Sequence, residues 1–217
     1  MNKLAVTLFT ALILAGCNTS KHIPDTDNTD NLNNGNTTPE TASSKPNILL
    51  IISDDQGLDA SAQYNYSLDL PNTPTLDSIA QNGIIFDNMW TTPACATSRA
   101  QILTGKHGIH TGVNSVPASL SLTEQSIQSY LKSQAATQDY QTGFFGKWHL
   151  SPADEAARPN QFGVDYYAGS LTNLSSYTDW TLTVNGEQTQ QTQYHTQKIT
   201  DLAINWIKQQ PADTPLV

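Results

Sequence analysis

Cysteine is scarce: the 217-residue chain holds only Cys17 and Cys95. Two thiols cannot build the disulfide framework that staples small loop-rich domains. Charge is also thin, with Asp, Glu, Lys and Arg making up 13% of residues. The mean hydropathy of −0.40 therefore reflects Asn, Thr, Ser and Gln more than ions. Basic residues are outnumbered 10 to 19, which gives a net charge of −9 and a pI near 4.7. That balance excludes a phosphate-backbone binder, so no nucleic-acid partner is expected. An anionic ligand would be repelled by the molecule as a whole and must be captured by local positive charge or a bound cation. No apolar run has bilayer length; the N-terminal one, Leu4 to Leu14, is too short to span.

That N-terminal run follows Lys3 and ends in Leu14-Ala15-Gly16-Cys17, the anatomy of a secretion signal. The ending resembles a bacterial lipobox, in which cleavage precedes the cysteine and lipid is attached to it. Residues 1–17 are thus expected to be a lipoprotein signal peptide. Residues 18–45 are dominated by Asn, Thr, Asp and Ser and are expected to form a disordered polar tether. The folded part is expected over 46–217. The mature chain would be an exported lipoprotein held at a cell membrane, periplasmic or outer surface, through Cys17 and without a span. Cys95 is then an unpaired thiol in an exported protein.

Within the folded part, residues 47–53, NILLIIS, form a continuous apolar run suited to a central parallel strand covered on both faces. Thr73 and Pro74 open a helix with Leu76, Ile79 and Ala80 on its inner face, stopped at Gly83. A second strand is expected over 84–88. Ser121 and Glu124 read as a capping box for a helix with Leu122, Ile127, Tyr130 and Leu131 inward. A short strand over 142–146 leads into Lys147-Trp148-His149. Residues 180–184 alternate and meet Asn185-Gly186, a hairpin signal. Ile199, Leu202, Ala203, Trp206 and Ile207 then mark an amphipathic helix that ends before Pro211. The order implies an α/β layered fold with a mostly parallel central sheet flanked by helices. The chain stops at Val217, where such a pattern would begin its next buried strand. It is therefore expected to be the N-terminal piece of a longer protein.

Ligand sites in open α/β sheets gather at the carboxyl ends of strands. Three polar clusters meet that condition. Asp54 and Asp55 follow the first expected strand; they suit Ca²⁺ or Mg²⁺, or cap a turn. Cys95 lies four residues before Arg99, in a loop entering a helix, as a candidate nucleophile or a buried structural thiol. Lys147 and His149 project to the same side of an extended backbone, as anion ligands or as a surface lysine and a structural histidine. His107, His110 and His195 read as surface or packing residues, and the four tryptophans as core or pocket wall.

The segments PNILLIISDDQG, TPTLDSIAQNGIIFDN, CATSRAQILTGKHGIHTGV, GKWHL and FGVDYYAGSL, in this order, resemble the type I sulfatases of the alkaline phosphatase superfamily. The resemblance runs from about Pro46 to the end of the chain. It implies an alkaline phosphatase-like fold, of which 46–217 is the N-terminal part. It also implies that Cys95 is converted to formylglycine by a formylglycine-generating or sulfatase-maturing enzyme. The hydrated aldehyde would attack the sulfur of a sulfate ester, and its second hydroxyl would release the sulfate. Asp54, Asp55 and the modified Cys95 would hold Ca²⁺, with Mg²⁺ the lesser fit. Arg99 would hold the hydrate, Lys147 would contact the sulfate, and His149 would bond the second hydroxyl. The family's remaining metal ligands, an Asp–Asn pair, together with a further His and Lys, would lie beyond Val217. One departure stands out: the family usually has Pro or Ala two residues after the cysteine, the position that maturing enzymes read, and here it is Thr97.

The resulting expectation is a sulfuric ester hydrolase acting on a sulfated small molecule or a sulfated glycan. The alternatives are a phosphoester or phosphonate-ester hydrolase of the same superfamily, and an inactive truncated surface lipoprotein.

Overall fold

The computed structural model describes residues 45–217. The signal peptide, Cys17 and the tether lie outside the described residues. Among the described residues, no helix is long and apolar enough to cross a membrane.

The sheet has four strands in the order β1 (Gly143–Phe145), β2 (Tyr166–Gly169), β3 (Trp180–Val184) and β4 (Glu187–Gln191). β1 and β2 are parallel; β2–β3 and β3–β4 are antiparallel. The expected hairpin is present, with Asn185 and Gly186 both at positive φ, 46° and 93°, as a tight turn between twisted strands requires. On the free edge of β1 the chain returns for a parallel bridge between Gln141 and Leu216. There Gly143 N–H donates to Val217 O at 2.8 Å, and Ile48 N–H donates to Leu216 O at 2.8 Å. Residues 215–217 thus lie between β1 and the segment that begins at Asn47.

Helices α1 (Pro74–Asn82), α2 (Cys95–Thr104), α3 (Gly108–Thr111), α4 (Ile127–Ser133), α5 (Arg158–Gln161) and α6 (His195–Gln209) follow two short 3-10 turns, Leu58–Ala60 and Ala62–Tyr64. α2 supplies much of the core. Its Ala96 and Ala100 are fully buried, and they join Val113, Leu120, Leu150, Phe162 and Tyr167 around Trp148. The Trp148 ring meets Phe144 edge-on at 5.4 Å and 74°, and lies 5.6 Å from Phe162. α2 ends at Gly105, whose φ of 68° and N–H bond to Gln101 O form a left-handed cap.

Three local expectations are corrected. Residues 47–53 form no strand, because Leu216 alone offers them a backbone ladder contact among the described residues. Leu49 and Ile51 are 57% and 56% exposed there. Residues 84–88 form no strand either, and Ile84 and Phe86 stand exposed. The capping box belongs to Ser126 and Ser129 instead of Ser121 and Glu124. Ser126 Oγ also bonds Phe162 O at the core's edge, whereas Glu124 is drawn 2.8 Å from Lys106 Nζ. Leu122, Ile127 and Tyr130 are consequently exposed. α1 and α6 stand where expected, but no α1 residue is buried, Leu76 of its expected inner face is exposed, and Ile207 of α6 is exposed. Trp90 is exposed too. It lines a cavity of about 270 Å³ with Leu50, Ile51, Met89 and Ile102, a cavity that includes none of the site residues.

Candidate active site

Trp148 organises the site, because burying its ring fixes the residues on either side. The Trp148 backbone N–H donates to Ser170 O and the His149 backbone N–H to Leu171 O, both at 2.9 Å. These bonds carry the parallel pairing of β1 and β2 past the strand ends. His149 takes a left-handed φ of 59°, a conformation that costs a non-glycine residue about 1–2 kcal/mol. Such strain persists only where surrounding contacts over-determine it. The turn is possible because Gly169 passes against Gly146; a Cβ on Gly169 would sit 1.8 Å from the Gly146 carbonyl oxygen. The Tyr167 hydroxyl closes the same turn by donating to Gly146 O at 3.2 Å. Burial pushes its pKa up, so it stays a donor.

Cys95 is the first residue of α2. That helix end is positively polarised and favours an anion. Cys95 Sγ lies 3.2 Å from His149 Nδ1. Burial, followed by the charges of Lys147 and Arg99, holds the His149 pKa below the usual imidazole value, against a smaller opposing pull from Asp54. That shift favours the neutral imidazole, whose Nδ1 donates or accepts according to its tautomer.

Arg99, one helical turn further on, is only 7% exposed. It donates through Nη1 to Lys147 O and through Nη2 to Asp54 Oδ2, the latter at 3.1 Å. Lys147 Nζ reaches the same Asp54 oxygen at 2.9 Å. Burial raises the Asp54 pKa, but the hydrogen bond from Lys147 and the two cationic charges outweigh it and hold the carboxyl below its ordinary value. Asp54 is therefore ionised, and it ties together segments some 45 residues or more apart. Asp55 follows at positive φ, 56°, and is exposed.

The structure thus brings together Asp54, Cys95, Arg99, Lys147 and His149, with Asp55 beside them. Sequence reading missed the hydroxyl clasp behind Cys95. Thr92 Oγ1 lies 2.5 Å from Thr97 Oγ1 and 2.7 Å from Ser98 Oγ, while Thr97 Oγ1 donates to Ala94 O at 2.6 Å. Thr97 and Ser98 are 5% and 2% exposed. Buried hydroxyls need partners, so Thr97 fastens the loop into α2. The run of hydroxyl residues around Cys95 was the available signal. Of the remaining histidines, His107 bonds Gln101 at 2.8 Å and His195 packs on Trp180, as packing residues do.

Asp54 and Asp55 offer the hard oxygens that Ca²⁺ prefers, although it takes about six to eight. Among the described residues no group of three or more His, Cys, Asp or Glu is placed to hold a metal. The Cys95 sulfur is a soft donor and suits calcium poorly; the position fits the ion only with oxygen in place of sulfur. The residues present fit in kind and supply part of a set.

A family model described as Sulfatase matches residues 46–217. The chain belongs to the sulfatase family. This member is 33% identical over 140 residues to arylsulfatase J of Mus musculus, covering 62% of this chain and 22% of that protein. It is 31% identical over 172 residues to the N-acetylglucosamine-6-O-sulfatase of Bacteroides thetaiotaomicron, covering 79% of this chain and 29% of that one. Among solved structures, BT4656 in complex with its substrate D-glucosamine-2-N,6-O-disulfate aligns with a TM-score of 0.59 at 29% identity. That alignment covers 73% of this chain and 30% of the other. A glycosaminoglycan-metabolism protein of Bacteroides thetaiotaomicron aligns at a TM-score of 0.61 and 15% identity, over 73% of this chain and 40% of that one. The likeness there is one of fold alone. The α/β fold is that of the sulfatases, with the sheet flanked by helices. The chain spans less than a third of the length of either curated relative.

Proposed function

We propose that the protein to which this chain belongs hydrolyses sulfate esters to alcohol and sulfate at Cys95, after oxidation of Cys95 to formylglycine by a separate maturing enzyme. One observation carries the reading: a thiol at a helix N-terminus, 3.2 Å from the His149 imidazole, beside two cations that converge on one carboxylate. That set supplies a nucleophile position, a proton-exchanging group and anion capture on a protein of net charge −9. The converted side chain would present the attacking hydroxyl as an aldehyde hydrate. A calcium ion held by Asp54 and Asp55, with the oxygen of residue 95, would neutralise sulfate charge. Arg99 keeps Asp54 and the Lys147 backbone in fixed relation to α2. Lys147 Nζ offers a point charge to a sulfate oxygen, sharing itself with Asp54. His149 moves a proton at Nδ1, next to residue 95.

The test compares turnover of 4-nitrophenyl sulfate, phosphate and phenylphosphonate by the full-length protein, before and after calcium chelation. Sulfate turnover that exceeds the other two by at least about 100-fold and is lost on chelation is the expected result. An enzyme active on phosphate or phosphonate alone would overturn the reading in favour of a related esterase.

Export and anchoring through Cys17 belong to the same proposal. They rest on the Leu14-Ala15-Gly16-Cys17 ending and the polar stretch after it. Wild-type protein is expected to partition with membranes and Cys17→Ser to be released. Equal partitioning of the two would remove the lipid anchor from the reading.

A further inference from the structure

Residue 95 and His149 meet from separately anchored segments. His149 is set by its backbone bond to Leu171 O at 2.9 Å, and residue 95 by the way the chain enters α2. The body of α2 is fixed by buried Ala96 and Ala100. Its entry has no ordinary cap. The residue before Cys95 is Ala94, extended at φ −107° and ψ 136°, and it offers no side chain to the first helical N–H groups. An uncapped first turn is the part of a helix most free to fray.

Three hydroxyls hold it instead. The Ser98 N–H closes the turn onto Ala94 O at 3.1 Å, and the Thr97 hydroxyl donates to the same oxygen at 2.6 Å. The Ser98 hydroxyl donates to Thr92 O at 3.0 Å. A hydroxyl has one proton to give, so those of Thr97 and Ser98 are committed. The Thr92 hydroxyl then joins the pair as donor. Thr97 Oγ1 at 2.5 Å and Ser98 Oγ at 2.7 Å are both nearer to it than Ala94 O at 3.4 Å. The Thr92 and Ala94 carbonyls, on the entry side of Cys95, are thereby bound to side chains on its exit side. Cys95 sits in the bend between them, and the direction of its side chain follows from that bend.

Thr97 is the separable member. Without its hydroxyl, Ala94 O keeps the Ser98 N–H and Thr92 keeps Ser98 Oγ, so no buried group is left unpaired. Valine matches threonine in shape and fills the same buried space. What is lost is the tie between the entry loop and the turn that carries residue 97. Pro or Ala, usual at this position in the sulfatases, has no side-chain donor, so the tie requires a hydroxyl residue here.

We propose that Thr97 is a positioning residue: its hydroxyl, through Ala94 O and Thr92, aims residue 95 at His149 Nδ1 and so sets the rate of the chemical step. The proposal rests on the sulfate-ester reading above and deepens it.

The full-length protein and its Thr97→Val and Thr97→Ser variants are assayed on 4-nitrophenyl sulfate. Here kcat is expressed per converted residue 95, counted by peptide mass spectrometry, which separates catalysis from maturation. Thr97→Val is expected to lose about tenfold in kcat, since misplacement by about 1 Å costs up to about 100-fold. KM should stay within about twofold and the thermal midpoint should not move. Thr97→Ser should restore kcat. An unchanged kcat in Thr97→Val would overturn the proposal. So would a loss that serine does not restore, or one that comes with a lower thermal midpoint, because either assigns Thr97 to packing alone. Should the wild type cleave no sulfate ester, that function fails separately. The aim of residue 95 is then read in unconverted protein from the nitrogen NMR resonance of His149 Nδ1, with Cys95→Ala marking its position when the contact is absent. Movement to that position in Thr97→Val, but not in Thr97→Ser, sustains the proposal; a resonance that stays at the wild-type position removes it.

Discussion

Cys95→Ala is expected to lower sulfate-ester turnover by about 10⁴-fold or more, the scale on which loss of a nucleophile acts. It should leave the fold intact. Cys95 is half-buried at the start of α2 and its sulfur has one polar contact, His149 Nδ1. The core beneath it is made by Ala96 and Ala100, which the substitution does not touch. Circular dichroism and a thermal melt should therefore match the wild type while the assay falls to background. Peptide mass spectrometry across residue 95 provides the independent readout. The expected peptide has oxygen in place of sulfur and two fewer hydrogens. An unmodified thiol in active enzyme, or full activity in Cys95→Ala, would refute the assigned nucleophile.

Arg99→Ala is expected to reduce turnover about 100- to 1000-fold and, unlike Cys95→Ala, to destabilise the protein. Arg99 bonds both the 147 turn and Asp54. Its removal frees the Lys147 carbonyl and leaves Asp54 to Lys147 alone. Breaking a fully buried pair costs about 3–5 kcal/mol. The Asp54 side chain is one-third exposed and retains a partner, so about 2 kcal/mol is the better figure. Arg99→Lys should recover part of the stability and little of the activity, because an ammonium cannot reproduce the planar fork. Denaturant melts and kcat/KM on one preparation separate the two effects. Equal activity in Arg99→Lys and wild type would show that charge alone, without the fork, suffices.

Much of the chain could be read locally. Asn185-Gly186 forces its turn whatever surrounds it, and the spacing from Ile199 to Ile207 places α6 without knowledge of what covers it. Two apolar runs were misread for one reason. Residues 47–53 and 84–88 have strand composition, but a strand is a ladder, and among the described residues Leu216 alone bonds the backbone of the first run. The misplaced helix cap has a different cause. Ser121 and Glu124 have the right spacing, yet Ser126 won because its hydroxyl also reaches Phe162 O, a contact set by the core.

The sequence by itself determined the family, the chemical types at the site and the fold class. Those depend on residue identity and order: a thiol four residues before an arginine, adjacent carboxylates, a lysine and a histidine flanking a tryptophan. Only the tertiary structure decided how these groups face one another. Asp54, Cys95 and His149 are distant along the chain and meet because buried Trp148, the Gly169–Gly146 approach and the Arg99 fork fix the geometry between their segments. The hydrogen bonds of Thr97 were decided there as well. Its hydroxyl finds Thr92 and Ala94 only once the loop has closed, since a hydrogen bond needs its partner within about 3 Å.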